Sequence, residues 1–430
     1  MNIEKPENEN YSATVVKIEK IVKLSEDKEA RQEQCDNVVS APLLGFQAIV
    51  GKDTEVGTIG VLFTAETQLS EEMTKVNNLY RHSELNADQA KTGYIEDNRR
   101  VKAMKFRGHR SDALFLPLTS LEFTGVDVSE LNVGDSFDKL NDKEVCKKYT
   151  VKRKSGLGVH KNKAVVFKRV DEKFLPQHYD TDNYWRNKHV LKGNQKVIVT
   201  QKLHGTSIRI ANTIVKRQLS LLERLAKRIG VNVAETEFDH VYGSRRAIKD
   251  PNNPRQDHFY NTDIYTEIGK GLDASIPENF IVYGELVGYV PGGGPIQKNF
   301  TYRIPEGTCE LYVYRVAIVS NQGLLVDLSW GQVKEFCKDR GLKVVPELWE
   351  GMHKYFKVDD YMDKNYFKDG YKQAVPLDKE SPCDEGVCVR VDGIAPYILK
   401  AKSPKFFEHE TNMLDQEVVD IEEDSKEEEK

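Results

Sequence analysis

Across the first 120 residues, β-branched and aromatic side chains come in short runs separated by turn residues: Ala13 to Val22, Gly45 to Val50, Gly57 to Phe63 and, after Val101 to Gly108, Ala113 to Leu118. Runs of this length read as strands. One helix is expected among them, over Ser70 to Tyr80, with Ser70 as N-cap and Glu71 and Glu72 in the first turn. Several short strands around a single helix are economically arranged as a small β-barrel, so an all-β OB-type barrel is expected here.

After residue 170 the pattern changes. Phe174 to Thr181 leads into a helix after Asp180, and Lys196 to Thr200 is a β-branched strand. Leu219, Leu222, Leu225, Ala226 and Ile229 recur at helical spacing, with Lys and Arg on the opposite face and Gly230 as a stop. That stripe predicts core packing. Further strands are expected at Val241 to Ser244, Phe280 to Val290, Cys309 to Val319, Gly386 to Val391 and Tyr397 to Ala401, and helices at about 256–271 and 330–340. Mixed elements in this order predict an α+β domain with mainly antiparallel sheets. The expected division is 1–170, 171–410 and a tail at 411–430.

Composition narrows the class. The 430 residues are 39% hydrophobic and 30% charged, as in a globular chain. No apolar run reaches the roughly 20 residues of a membrane helix. Met1 to Pro6 has no apolar core of a secretory signal, so an intracellular compartment, cytoplasmic or nuclear, and no membrane partner are expected. The six cysteines form no Cys-x-x-Cys pair, which favours reduced thiols over disulfides or a zinc site. The net charge of −5 is segregated: Leu414 to Lys430 carries −7, leaving +2 on the preceding 413 residues. That acidic tail is expected to be disordered. Lys147 to Arg169 holds nine basic residues and no acid, which suits either a phosphate backbone or a solubilising tether.

Chemistry gathers around Thr200-Gln201-Lys202-Leu203-His204-Gly205-Thr206-Ser207, where a strand ends in a lysine and turns at a glycine. Five pieces follow in order: Gly243 to Arg246, Tyr283 to Gly288, Glu310 to Arg315, Glu385 to Arg390, and Leu399 to Lys402. Together they contain what attack on a nucleotide α-phosphate requires. Lys202 would serve as the amine nucleophile, Lys400 and Lys402 as cations to depress its pKa and hold phosphate, Glu285 and Glu385 are candidate carboxylates for ribose and metal, and aromatic walls could hold a base. Strand alternation places Lys400 with Lys402, and Tyr312 with Tyr314. The phosphate loop of P-loop NTPases and the glycine fingerprint of dinucleotide-binding folds are both missing from the sequence.

This ordered set resembles the covalent nucleotidyltransferase superfamily of ATP-dependent ligases and mRNA capping enzymes, over roughly residues 200 to 402. Lys-Leu-His-Gly-Thr-Ser looks like the RNA ligases, with His204 where many members have Asp. Val56 to Phe63, Met104 to Gly108 and Leu114 to Leu118 are similar to the OB domain that precedes the nucleotidyltransferase domain in the fifth RNA ligase family. The resemblance implies an enzyme that uses ATP with Mg²⁺ or Mn²⁺. Lys202 would form a lysyl-N-AMP, AMP would pass to an RNA 5′-phosphate, and a 3′-OH would seal the strand. It further implies that Ser207 and Arg245 contact the nucleotide, with Arg246 in reserve for Arg245. Glu285 would bind ribose, Tyr314 would stack on adenine with Tyr312 as fallback, Glu385 would bind metal, and Lys400 and Lys402 would contact the α-phosphate. RNA is the implied partner of a monomeric enzyme suited to RNA repair. Competing readings are a DNA ligase, a capping-type guanylyltransferase, or a non-catalytic RNA-binding protein that keeps the fold. The first two usually carry their OB domain after the nucleotidyltransferase domain, whereas the barrel-like half comes first here.

Overall fold

The computed structural model describes residues 3–4, 6–25, 34–106, 108–150, 167–250, 260 and 262–416. Most of the basic segment between Lys147 and Arg169, the start of the helix expected at 256–271, and the tail from 417 onward lie outside the described residues. The chain forms two compact units. One comprises Met1–Val151, Asp182–Lys188 and Lys402–Val418, and the other contains Lys152–Thr181 and His189–Ala401.

In the first unit, one sheet runs in the order Ser136–Phe137, Ala13–Lys17, Ile59–Thr64, Ala113–Pro117, Phe46–Gly51, Gln34–Leu43, Val22–Ser25. Alternation along these strands gives the sheet two apolar faces. Val15, Val61 and Phe63 pack on one side with Met73, Leu121 and Phe137, while Val16, Leu62, Ala48 and Phe46 pack on the other. A sheet buried on both faces is a layer, and among the described residues the two end strands are not paired with each other. These strands therefore form an open sheet, without the closure of a barrel.

The hairpin between Gln34–Leu43 and Phe46–Gly51 turns through Leu44 and Gly45, both at positive φ. Gly45 has no substitute there, because a Cβ would fall 2.1 Å from the Trp185 ring. The helix at Ser70 begins as expected, with Ser70 Oγ accepting from Met73 N at 3.1 Å. It ends at Val76 rather than Tyr80, since Asn78 adopts a left-handed conformation.

Two short segments outside 1–170 belong to this unit, and buried contacts explain why. Arg186 donates to the Glu9 and Ser12 carbonyls. Helix Pro404–Asp415 inserts Phe407 into the core against Phe46, with ring centroids 5.3 Å apart. The same helix is pinned by Arg100, which donates to Glu66 Oε1 at 2.8 Å, the Thr411 carbonyl at 3.1 Å and Asp415 Oδ1 at 3.1 Å. Order thus continues past the expected boundary at 411.

The second unit holds two sheets. One carries, side by side, Tyr397–Lys402, Gly386–Val391, Lys196–Lys202 and Glu347–Met352. The other runs Ile248–Lys249, Thr236–Ser244, Thr206–Lys216, Phe280–Gly288, Cys309–Val319, Leu325–Asp327, with Lys343–Val344 alongside Cys309–Val319. Lys196–Lys202 pairs antiparallel with both neighbours, and the second sheet is antiparallel except for the Lys343–Val344 ladder. This is the α+β architecture with antiparallel sheets that the pattern predicts. Helices Ile264–Lys270 and Trp330–Asp339 lie within the expected ranges.

Helix Leu221–Arg228 departs from expectation. It forms where the periodicity places it, closed by a Ser220/Glu223 capping box, but none of its residues is buried. Leu222 is 78% exposed and Ile229 80%. The helix is an excursion between the paired strands Thr206–Lys216 and Thr236–Ser244, so its apolar arc extends beyond the sheet core instead of filling it.

Because Arg100 and Glu66 have side chains only 1% and 5% exposed, Arg100→Ala would leave a buried carboxylate without its cation. Urea denaturation is expected to show a loss of about 3–5 kcal/mol. A loss below about 1 kcal/mol would mean that the helix is held by Phe407 alone.

Candidate active site

The link between the two sheets of the second unit is the turn Leu203-His204-Gly205. Strand Lys196–Lys202 lies inside one sheet, Thr206–Lys216 lies inside the other, and three residues carry the chain across. Gly205 is required by close approach, since a Cβ would sit 2.1 Å from the Leu286 carbonyl oxygen. Lys202 is therefore held at the mouth of a tight crossing.

Pairing then decides what surrounds it. Lys202 stands opposite Gly386, which places Glu385 beside it. Lys202 Nζ lies 2.8 Å from Glu385 Oε1, with side-chain exposures of 20% and 2%. His204 Nδ1 faces the other oxygen of Glu385 at 3.9 Å. From the second sheet, Ser207 stands opposite Glu285. Glu285 accepts from Gly205 N at 3.0 Å and from Ser207 Oγ at 3.2 Å, so its carboxylate spans the turn. One buried carboxylate thus meets the lysine and the other holds the turn that follows it.

Lys400 belongs to the same neighbourhood. Burial pushes the Cys388 thiol up to about 11, and the charges acting on it include Lys202, Glu385, Lys400 and Glu285. Lys400 also acts on Asp180. Burial alone would raise the Asp180 carboxyl, but Arg245, with Arg246 and Lys400, holds it below its ordinary value. Arg245 Nη2 donates to Asp180 Oδ1 at 2.6 Å. Lys402 has a different environment: its Nζ is 2.6 Å from Glu410 Oε1, and it lies over the Phe406 ring at 5.2 Å.

The two tyrosines do not share one wall. Tyr283 pairs with Arg315 but Gly284 pairs with Val313, so the strand carries an extra residue at Tyr314 and the simple alternation breaks there. The Tyr314 ring packs on His178, centroids 5.0 Å apart. Tyr312 Oη instead donates to Glu310, which also binds Lys343.

Several residues around the turn carry no sequence signal. Gln297 donates to the Gly205 carbonyl at 2.9 Å, and Tyr302 Oη accepts from His204 N at 2.7 Å. Behind Glu385, Asp384 accepts from Gln201 Nε2 and from Tyr366 N, each at 2.7 Å. Asp180 and His178 precede every recognised motif. Only their position in the fold makes them part of the site.

Residues 195–402 match the family model described as RNA ligase. Among solved structures, the chain resembles Naegleria gruberi RNA ligase with PPi, at a TM-score of 0.56 and 14% identity over 93% of this chain and 98% of that one. A mutant of the same ligase with ATP and Mn matches at 0.55 and 14%, covering 94% and 99%. Another mutant, with AMP and Mn, matches at 0.55 and 14%, covering 92% and 98%. The match to solved RNA ligases extends the fold likeness over the remainder of the chain, and no curated protein matches. The matched region opens one residue before strand Lys196–Lys202 and closes at Lys402, so it contains Lys202, Glu285 and Glu385. Among the described residues no group of three or more His, Cys, Asp or Glu is placed to hold a metal ion. No described helix is long and apolar enough to cross a membrane.

Burial pushes the Asp384 carboxyl up to about 7, against the opposing hydrogen bonds from Tyr366 and Gln201. A raised folded-state value means that the native state binds the proton more tightly than the unfolded chain. The stability this group contributes is therefore present at low pH and is lost as pH rises through about 7. Asp384→Asn is expected to flatten that part of the pH profile of the urea midpoint; an unchanged slope between pH 5 and 8 would contradict the assignment.

Proposed function

We propose that this chain is an ATP-dependent RNA ligase that joins 3′-OH and 5′-phosphate ends through a lysyl-N-AMP. The observation that carries the reading is the placement of two carboxylates: Lys202 lies 2.8 Å from the buried Glu385, ahead of a turn whose glycine and serine are held by Glu285.

Lys202 Nζ attacks the α-phosphorus of ATP. A phosphoramide N–P bond forms, the P–O bond to the β-phosphate breaks, and pyrophosphate leaves. A 5′-phosphate oxygen of RNA then attacks that phosphorus and returns the amine. Finally a 3′-OH attacks the RNA 5′-phosphorus, loses its proton, and AMP departs. Contact with Glu385 favours the ammonium form of Lys202, which cannot attack, so the pair has to loosen when the nucleotide arrives. Glu385 is the residue suited to a divalent cation; bound there, Mg²⁺ or Mn²⁺ would draw the carboxylate from the amine and offset phosphate charge. A single protein carboxylate suits an ion that keeps most of its water, as Mg²⁺ does.

Glu285 holds Gly205 and Ser207 and is the candidate ribose acceptor. Arg245, oriented by Asp180, is the candidate nucleotide contact, with Ser207 beside the turn. Lys400 supplies positive charge for the α-phosphate and, when charge builds on its oxygens, stabilises the transition state. Lys402, held by Glu410 in this structure, is proposed for the same phosphate. Tyr314, packed on His178, is the candidate adenine platform. RNA with 3′-OH and 5′-phosphate ends is the proposed substrate.

Incubation with α-labelled ATP and Mg²⁺ or Mn²⁺, followed by denaturation, should leave label on the protein. Lys202→Ala is expected to abolish it, and Glu285→Ala or Glu385→Ala to reduce it by at least about a hundredfold, since loss of one positioned electrostatic contact costs on that order. Nicked duplexes with RNA or DNA on the 3′-OH side then read out strand preference. Labelling by GTP instead of ATP would point to capping chemistry, and no labelling at all to a non-catalytic binder.

A further inference from the structure

The nucleophile turn rests on a loop whose backbone is held in an unfavourable shape. Asn299, Tyr302 and Arg303 all adopt positive φ, at 67°, 55° and 57°. Side chains other than glycine rarely occupy that region, and they persist there only where surrounding contacts impose it. Three of the contacts that hold it come from one carboxylate. Asp378 Oδ2 accepts from both the backbone N and the hydroxyl of Thr301, and Asp378 Oδ1 accepts from Arg303 N at 2.8 Å. Arg303 Nε donates to the neighbouring Leu377 carbonyl at 2.8 Å, and Ser381 Oγ donates to the Asn299 carbonyl. The segment that bears these groups runs directly into Asp384 and Glu385.

The loop presents two groups to the turn. The Phe300 ring meets His204 edge to face at 5.1 Å, and the Tyr302 hydroxyl accepts from His204 N at 2.7 Å. Both rings are buried. Burial holds the Tyr302 phenol in its neutral form.

On the ligase reading above, on which this step rests, we propose that Tyr302 and Asp378 are positioning residues for attack by Lys202. Asp378 sets the left-handed loop, the loop sets the Tyr302 hydroxyl, and that hydroxyl fixes the backbone two residues beyond the nucleophile. The segment carrying Asp378 also carries Glu385, so the amine and its carboxylate partner are registered to each other through one loop. An in-line displacement is sensitive to such registration, and a displacement of about 1 Å costs on the order of a hundredfold in rate.

The test uses the full chain and α-labelled ATP with Mn²⁺, measuring initial rates of covalent labelling across ATP concentrations. Tyr302→Phe removes the hydroxyl and keeps the ring; Asp378→Asn keeps the side-chain shape and removes the charge. Each is expected to lower the maximal labelling rate by about tenfold or more, with KM for ATP within about twofold of the parent. Melting temperatures are measured alongside, and rates are compared at equal distance below each midpoint. Parent-like maximal rates, a loss confined to KM, or a loss that vanishes in that comparison would overturn the positioning role while leaving the ligase reading standing. An unlabelled parent chain would overturn both.

Discussion

The whole site depends on one crossing: three residues carry the backbone from the interior of one sheet to the interior of another. The space at Gly205 is closed by the Leu286 carbonyl, so the turn has little room to relax. The lysine at the entrance of this turn starts from backbone fixed by strand pairing, and its amine is met by Glu385. The carboxylates on either side come from partner strands already fixed by ladder pairing, Glu385 next to the residue opposite Lys202 and Glu285 opposite Ser207. Burying two carboxylates is unfavourable unless each is met by cations or donors. Lys202 meets one, and Gly205 N with Ser207 Oγ meets the other.

Buried arginines hold the frame around this crossing. Arg315 lies between the rings of Tyr179 and Tyr283, 4.4 Å from each centroid, and pairs with Asp327 through two nitrogens. Arg390 pairs with Asp392 and donates to the carbonyls of Leu328 and Tyr314, tying the strand that follows Glu385 to the bulged strand of the other sheet. Arg209 reaches the carbonyls of Ser244 and Leu175. A planar guanidinium with fixed donors suits this bridging of carbonyls, where a lysine would offer only a point charge. Arg315 and Arg390 belong to the ordered motifs, so these motifs carry framework as well as chemistry.

The first unit shows how far pattern reading reaches. Strands Ala13–Lys17, Phe46–Gly51, Ile59–Thr64 and Ala113–Pro117 lie close to their expected positions because short β-branched runs between turn residues define extended backbone locally, whereas Gln34–Leu43 was not expected. Closure was not legible. Whether an end strand finds another end strand depends on twist and on what covers each face, and here Phe407 arrives from about 360 residues beyond Phe46. The same limit explains helix Leu221–Arg228. Periodicity reports that one side of a helix is apolar and says nothing about whether any surface covers it.

By itself, the sequence determined the antiparallel α+β character of the second half, the strands Cys309–Val319 and Gly386–Val391 to the residue, and the order in which lysines and carboxylates recur. These are local properties: residue type sets backbone preference, and spacing sets face. Tertiary structure alone decided that Lys202 and Glu385, 183 positions apart, touch. It also decided that Tyr314 leaves the alternation at a bulge, that Gln297 and Tyr302 bind the turn, and that Asp180 meets Arg245 while Asp378 meets the loop carrying Tyr302. Register and loop closure are long-range outcomes of strand pairing, and no short window of residues contains both partners.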